Sequence, residues 1–135
     1  MPKPWDLFER TAQFAEEICG FCETLPTRPD AQEVASQLRR ASRGVASNYR
    51  AARRGRSDID FIAKMGVVIE EADESMYWLQ HLVATTIASS NSVEALRQEA
   101  NELVAIFTAA HKTAKANLEA KKRRKLKRGK RPESG

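Results

Sequence analysis

Four stretches of this chain repeat apolar residues in alternating steps of four and three, and none alternates with period two, so its backbone should be built from amphipathic helices. The first, about 5–25, carries Leu7, Thr11, Phe14, Ile18, Phe21 and Leu25 before Pro26 and Pro29 break it. The second should start at Asp30, with Glu33 as its capping-box partner, and run to Arg54 before Gly55. Its inward positions are Val34, Leu38, Ala41, Val45, Asn48 and Ala52, with Asn48 the one polar residue of the seam, fit to set register. The third opens after Ser57, extends to about Ala88, and keeps Ile62, Met65, Ile69, Ala72, Met76, Leu79 and Val83 on one face. Asn91 with Glu94 offers the last cap, ahead of Val93, Leu96, Ala100, Leu103, Phe107, Ala110 and Ala114. Short loops between such helices favour antiparallel neighbours. The expected fold class is therefore all-α: an up-down-up-down antiparallel four-helix bundle, left-handed, with crossing angles of about +20°.

With 135 residues, 41% of them hydrophobic, one core can be filled and not two. No apolar run reaches the roughly 18 residues of a membrane span, and MPKPWDLFER lacks the order of a signal peptide, so a cytoplasmic protein without a membrane partner is expected. The net charge of +5 is unevenly spread: nine of the 23 Lys and Arg residues fall between Lys121 and Arg131. With that run and Glu133 set aside, 14 basic residues face 17 acidic ones in residues 1–120. This divides the chain into a bundle domain, 1–120, and a basic tail, 121–135, whose crowded positive charges should leave it disordered and attractive to polyanions.

Catalytic and metal-binding patterns are missing from the sequence. The inward positions hold no Asp, Glu or His, no Glu-x-x-His occurs, and His81 and His111 lie on different helices. There is no glycine-rich phosphate loop and no nucleophile elbow. No enzyme, metal or cofactor is expected. Cys19 and Cys22 have the spacing of a redox pair but sit within a helical pattern instead of after a strand, which favours structural thiols.

At 100° per residue, Arg39, Arg43, Arg50 and Arg54 form a stripe opposite the second helix's seam. The third helix turns Glu70, Glu74, Tyr77, Trp78 and His81 outward, the composition of an oligomer interface. The arginines can thus serve as a solvated face, a contact with another subunit's third helix, or a phosphate-binding surface. Candidate nucleic-acid contacts are Arg39, Arg43, Arg50 and Arg54 with Lys121, Lys122, Arg123, Arg124, Lys125, Lys127 and Arg128.

One set of pieces resembles a known family. Phe14, Ile18 and Leu25-Pro26 are followed by Gln37-Leu38-Arg39-Arg40-Ala41 with Val45 and Asn48, then Ser57 with Asp60-Phe61, then Glu71-Ala72, Glu74-Ser75 and Tyr77-Trp78-Leu79. Their order and spacing, over about 6–115, resemble the small bacterial four helix bundle proteins encoded by intervening sequences in 23S ribosomal RNA genes. The resemblance implies a ring-shaped homo-oligomer, a pentamer favoured. It also implies kinship with the accessory proteins of diversity-generating retroelements, which are similar to basic barrels that bind a reverse transcriptase and nucleic acid. Where that family often has an acid and then Gly after the asparagine, this chain has Ala51-Ala52, and the basic tail lies outside the resemblance. The combined expectation is a non-enzymatic ring that binds RNA or DNA through tail and stripe, the alternative being a scaffold for a protein partner such as a reverse transcriptase.

Overall fold

The computed structural model describes residues 3–129, and these form four helices: α1 Pro4–Glu23, α2 Pro29–Arg53, α3 Asp58–Ala84 and α4 Ser90–Gly129. They make the up-down four-helix bundle that the periodicity predicts, each helix laying one apolar stripe on a shared core. The most enclosed large side chains are Phe14 and Ile18 of α1, Leu38 of α2, Met65, Leu79 and Leu82 of α3, and Leu103 and Phe107 of α4. The α1–α4 seam is the loosest. A charged clamp closes it: Arg10 donates through Nε and Nη2 to the two carboxylate oxygens of Glu99 at 2.8 and 2.6 Å, and Nη2 also reaches Glu102.

Helix α2 contributes mostly small residues to the interior: Ala31, Ala35, Ala41, Ser42 and Ala52 are buried with Val34, Leu38 and Val45. Their short side chains let neighbouring backbones approach closely, and buried hydroxyls close back onto their own helix, as Ser42 does on the Arg39 carbonyl and Ser75 on that of Glu71. Asn48 does not occupy the seam. It is half-buried and donates to the Gly44 carbonyl at 2.8 Å, while Tyr49 takes the inward position. The stripe here steps by four from Val45, and an aromatic ring fills the end of the core better than an amide. Tyr49 stacks obliquely on Phe8 and Phe107, with centroids 5.1 and 5.3 Å away, and its hydroxyl donates to the Pro4 carbonyl. The same widening occurs on α3, where Val68, Ser75 and Leu82 are buried and Ile62, Ile69, Met76 and Val83 become the flank. On α1, Cys22 is buried and Phe21 is partly exposed.

Helix ends differ from the sequence expectation where proline or backbone chemistry outweighs a side-chain cap. Pro29, whose fixed φ suits a first helical residue, starts α2 one position before Asp30, and the Glu33 capping box is not used. Ser57 caps α3 as expected, accepting from the Asp60 amide at 3.1 Å. Ser89, not Asn91, caps α4 through the Ser92 amide. Helix α3 stops at Ala84, short of Ala88, because Thr86 turns left-handed at φ 58° and the Ile87 and Thr86 amides close onto the Leu82 and Val83 carbonyls.

The tail expected to be disordered is instead helical from Lys121 to Gly129, while Lys130, Arg131 and the rest of 130–135 lie outside the described residues. Extending an existing helix avoids the cost of nucleation, Lys, Arg and Leu are good helix formers, and cations suit a helix C-terminus. Lys121 Nζ also reaches Asp58 Oδ2 at 2.8 Å, fastening α4 to the start of α3.

Thr86 is β-branched in a conformation that favours glycine. Thr86→Gly should raise unfolding stability by up to about 1 kcal/mol, the released strain exceeding the added backbone entropy. A urea melt against wild type measures this, and a lowered midpoint would contradict the strain argument.

A candidate nucleic-acid interface

The arginine stripe of α2 divides into two unlike halves. In the first, Arg39, Arg40 and Arg43 line an open groove of about 580 Å³ with Ser36, Gly44, Ser47 and Glu71 of α3. Gly44 lies where the Glu71 side chain of α3 crosses: a Cβ there would lie 2.8 Å from Glu71 Cδ, so that side chain would have to move aside. Burial pushes the Glu71 carboxyl above its usual range, the nearby Glu74 and Glu70 push it further, and Arg40 opposes them. Arg43 Nη2 lies 3.7 Å from Cys19 Sγ. Among the described residues, none of Arg39, Arg40, Arg43, Arg50 and Arg54 is in an ion pair. Their charge is available to an outside anion.

The second half belongs to one end of the bundle. The up-down topology returns the C-terminus of α2 and that of α4 to the end where α1 and α3 begin. There Arg50, Arg53 and Arg54 frame a groove of about 300 Å³ against Phe8. Arg53 is shared with the neighbouring groove, where it joins Arg56, Asp58 and Phe61, its guanidinium 5.8 Å from the Phe61 ring centre. Asp58 in turn pairs with Lys121. Basic groups therefore gather from Arg50 to the exposed end of α4, with Asp58 standing between the two sets, and on α4 Lys121, Arg124, Lys125 and Arg128 share one helical face. Lys122, Arg123 and Lys127 are exposed around it.

The outward residues of α3 are only partly as expected. Glu70, Glu74 and Tyr77 are exposed, with Tyr77 at 55%. Trp78 and His81 are half-buried, and Trp78 rests its inner edge on the core. The Trp78 indole donates to Glu74 at 3.2 Å, and the rings of Tyr77, Trp78 and His81 lie within 4.9 to 6.1 Å of one another. Glu71, the acid that shares the groove with the arginines, enters the sequence analysis only as part of the family pattern, with no role at the stripe. Its signal was Gly44, a glycine inside a helical pattern, which marks close approach of another element.

Cys22 is buried, its thiol 3.7 Å from the Ala35 carbonyl, and desolvation pushes it up to about 11. Cys19 is half-exposed. Among the described residues no set of three His, Cys, Asp or Glu side chains is placed to hold a metal ion, and no helix is long and apolar enough to cross a membrane.

The family model of the 23S rRNA-intervening sequence proteins matches residues 3–109. The fold is similar to the crystal structure of a protein of unknown function from the S23 ribosomal protein family of Bacteroides thetaiotaomicron. The TM-score is 0.73 at 24% identity, over 78% of this chain and 98% of the other. No curated protein matches the chain.

Two measurements test this geometry. A thiol reagent at neutral pH should label Cys19 readily in the native protein and Cys22 only after denaturation; rapid labelling of both would mean that α1 does not hold Cys22 inside. Glu71, whose folded value is raised, contributes most to stability when protonated, and that contribution is lost as pH rises from the ordinary 4.5 through the raised value. Glu71→Gln should therefore gain stability over wild type between pH 4.5 and neutrality, read from paired urea melts; a constant difference would show an unperturbed carboxyl.

Proposed function

This chain belongs to the 23S rRNA-intervening sequence protein family, and from that premise we propose that it is a non-enzymatic, cytoplasmic, ring-forming bundle that binds RNA or DNA with little sequence preference. The observation that carries the proposal is the gathering of Arg50, Arg53, Arg54, Arg56 and the Lys121–Arg128 helix at one end of the bundle. Phosphate charges would be met by guanidinium and ammonium groups that have few internal partners, while the opening of the basic surface to solvent leaves base identity unread. Several copies in one ring, a pentamer by the earlier resemblance, would raise avidity without new contacts.

The aromatic patch of α3 supports the ring. Tyr77, Trp78 and His81 with Glu70 and Glu74 offer a neighbouring subunit an apolar centre with an acidic rim, complementary to the half of the stripe formed by Arg39 and Arg43. The same patch also suits a second reading, a scaffold on which a protein partner such as a reverse transcriptase docks.

With about six phosphates neutralised, affinity for a mixed-sequence RNA should fall by about three orders of magnitude between 50 and 200 mM salt. Deleting residues 121–135 together with Arg50→Glu and Arg54→Glu should flatten that slope and abolish most binding. Binding that survives both changes, measured by anisotropy, would overturn the proposal. Tyr77→Ala and Arg43→Glu should lower the mass seen by light scattering; an unchanged mass places the subunit contact elsewhere.

A further inference from the structure

The basic end holds an aromatic that phosphate binding does not use. Trp5 lies in the first turn of α1 and is 60% exposed, with the Lys3 ammonium 5.2 Å from its ring centre. Phe8, one turn further along the same helix, is the aromatic wall of the groove formed with Arg50, Arg53 and Arg54. An exposed indole flanked by a cation, beside a groove with three guanidinium groups, combines a platform for a base with a seat for the backbone that follows it. We propose that this end of the bundle grips single-stranded nucleic acid, with one base stacked on Trp5 and the adjoining phosphates held by Arg50, Arg53 and Arg54; the inference rests on the nucleic-acid reading above and narrows its ligand.

A duplex cannot use this site, because its base faces are already stacked inside the helix, and it can offer only phosphate to the arginines and to α4. Stacking tolerates any base, so the grip selects strandedness and not sequence. Among the described residues the other large exposed apolar side chains of this end, Ile59 and Leu126, stand on α3 and α4, and Leu126 lies among Lys122, Lys125 and Lys127. Among the described residues these make no broad apolar face for a lipid surface.

The test reads affinity by anisotropy of labelled RNA on the otherwise wild-type full chain, and indole emission on the full chain carrying Trp78→Phe, in which Trp5 is the sole indole. Each is titrated at low salt with a single-stranded RNA, the matched duplex, and anionic phosphatidylserine vesicles. Single-stranded RNA should bind more tightly than duplex and quench the emission. Trp5→Ala, which leaves the core untouched, should weaken single-strand binding about tenfold while changing duplex binding little, and Trp5→Phe should restore most of it. Equal affinity for both RNAs with unchanged emission would overturn the stacking site and leave the proposed function standing. Failure to bind either RNA would overturn both, and a blue shift with vesicles in that case would identify the basic end as a membrane-surface contact.

Discussion

Close approach between α2 and α3 is the constraint on which the remaining features depend. It rests on small inward residues along α2, among them Ala41, Ser42 and Ala52, and the bare Cα of Gly44 leaves room for the Glu71 side chain. A helix that meets its neighbours through methyl groups and hydroxyls supplies less apolar area than one lined with leucine, so more of the core must come from Phe14, Phe107 and the leucines of the other helices. The outer half of α2 then contributes little to the core, and arginine stands there without loss to the interior.

The same crossing explains why Glu71 is strained electrostatically. Its stem packs over the Gly44 backbone, its carboxyl is partly desolvated, and Glu70 and Glu74 stand beside it on the same helix. The groove of three arginines thus carries a built-in anion on its far wall, and an incoming phosphate would meet attraction from α2 and repulsion from α3. At the end of the bundle the Arg50–Arg54 groove is walled by Phe8 instead, and none of its lining residues is acidic.

Helix number, order and most of the core were legible because every helix pays for its folding with one periodic apolar stripe. The exchange of Asn48 for Tyr49 was not, since a choice between steps of three and four depends on which cavity the neighbouring helices leave, and Phe8 and Phe107 enclose a space shaped for a ring. Caps were misread where Pro29 and Ser89 competed with side chains that were equally plausible in one dimension. The arginine stripe and the α3 aromatics could be placed on faces by arithmetic alone. Their neighbours could not: that Phe8 stands beside Arg50 follows only from the return of α2 to the start of α1, and that Lys121 meets Asp58 from the return of α4 to the start of α3. Composition argued for a disordered tail, yet continuity with an established helix prevails from Lys121 to Gly129.

That helical ending has a polyelectrolyte consequence. Seven cations from Lys121 to Arg128 occupy eight residues, a rise of about 12 Å, or about one charge per 1.7 Å of axis. That formal density is close to that of duplex DNA with opposite sign, and the pairing of Lys121 with Asp58 and of Lys122 with Glu119 lowers it at the start of the run. Such a rod gathers its own cloud of small anions from the buffer. When it meets a polyanion, both clouds are shed, so association draws entropy from chloride or acetate released by the protein as well as from cations released by the nucleic acid.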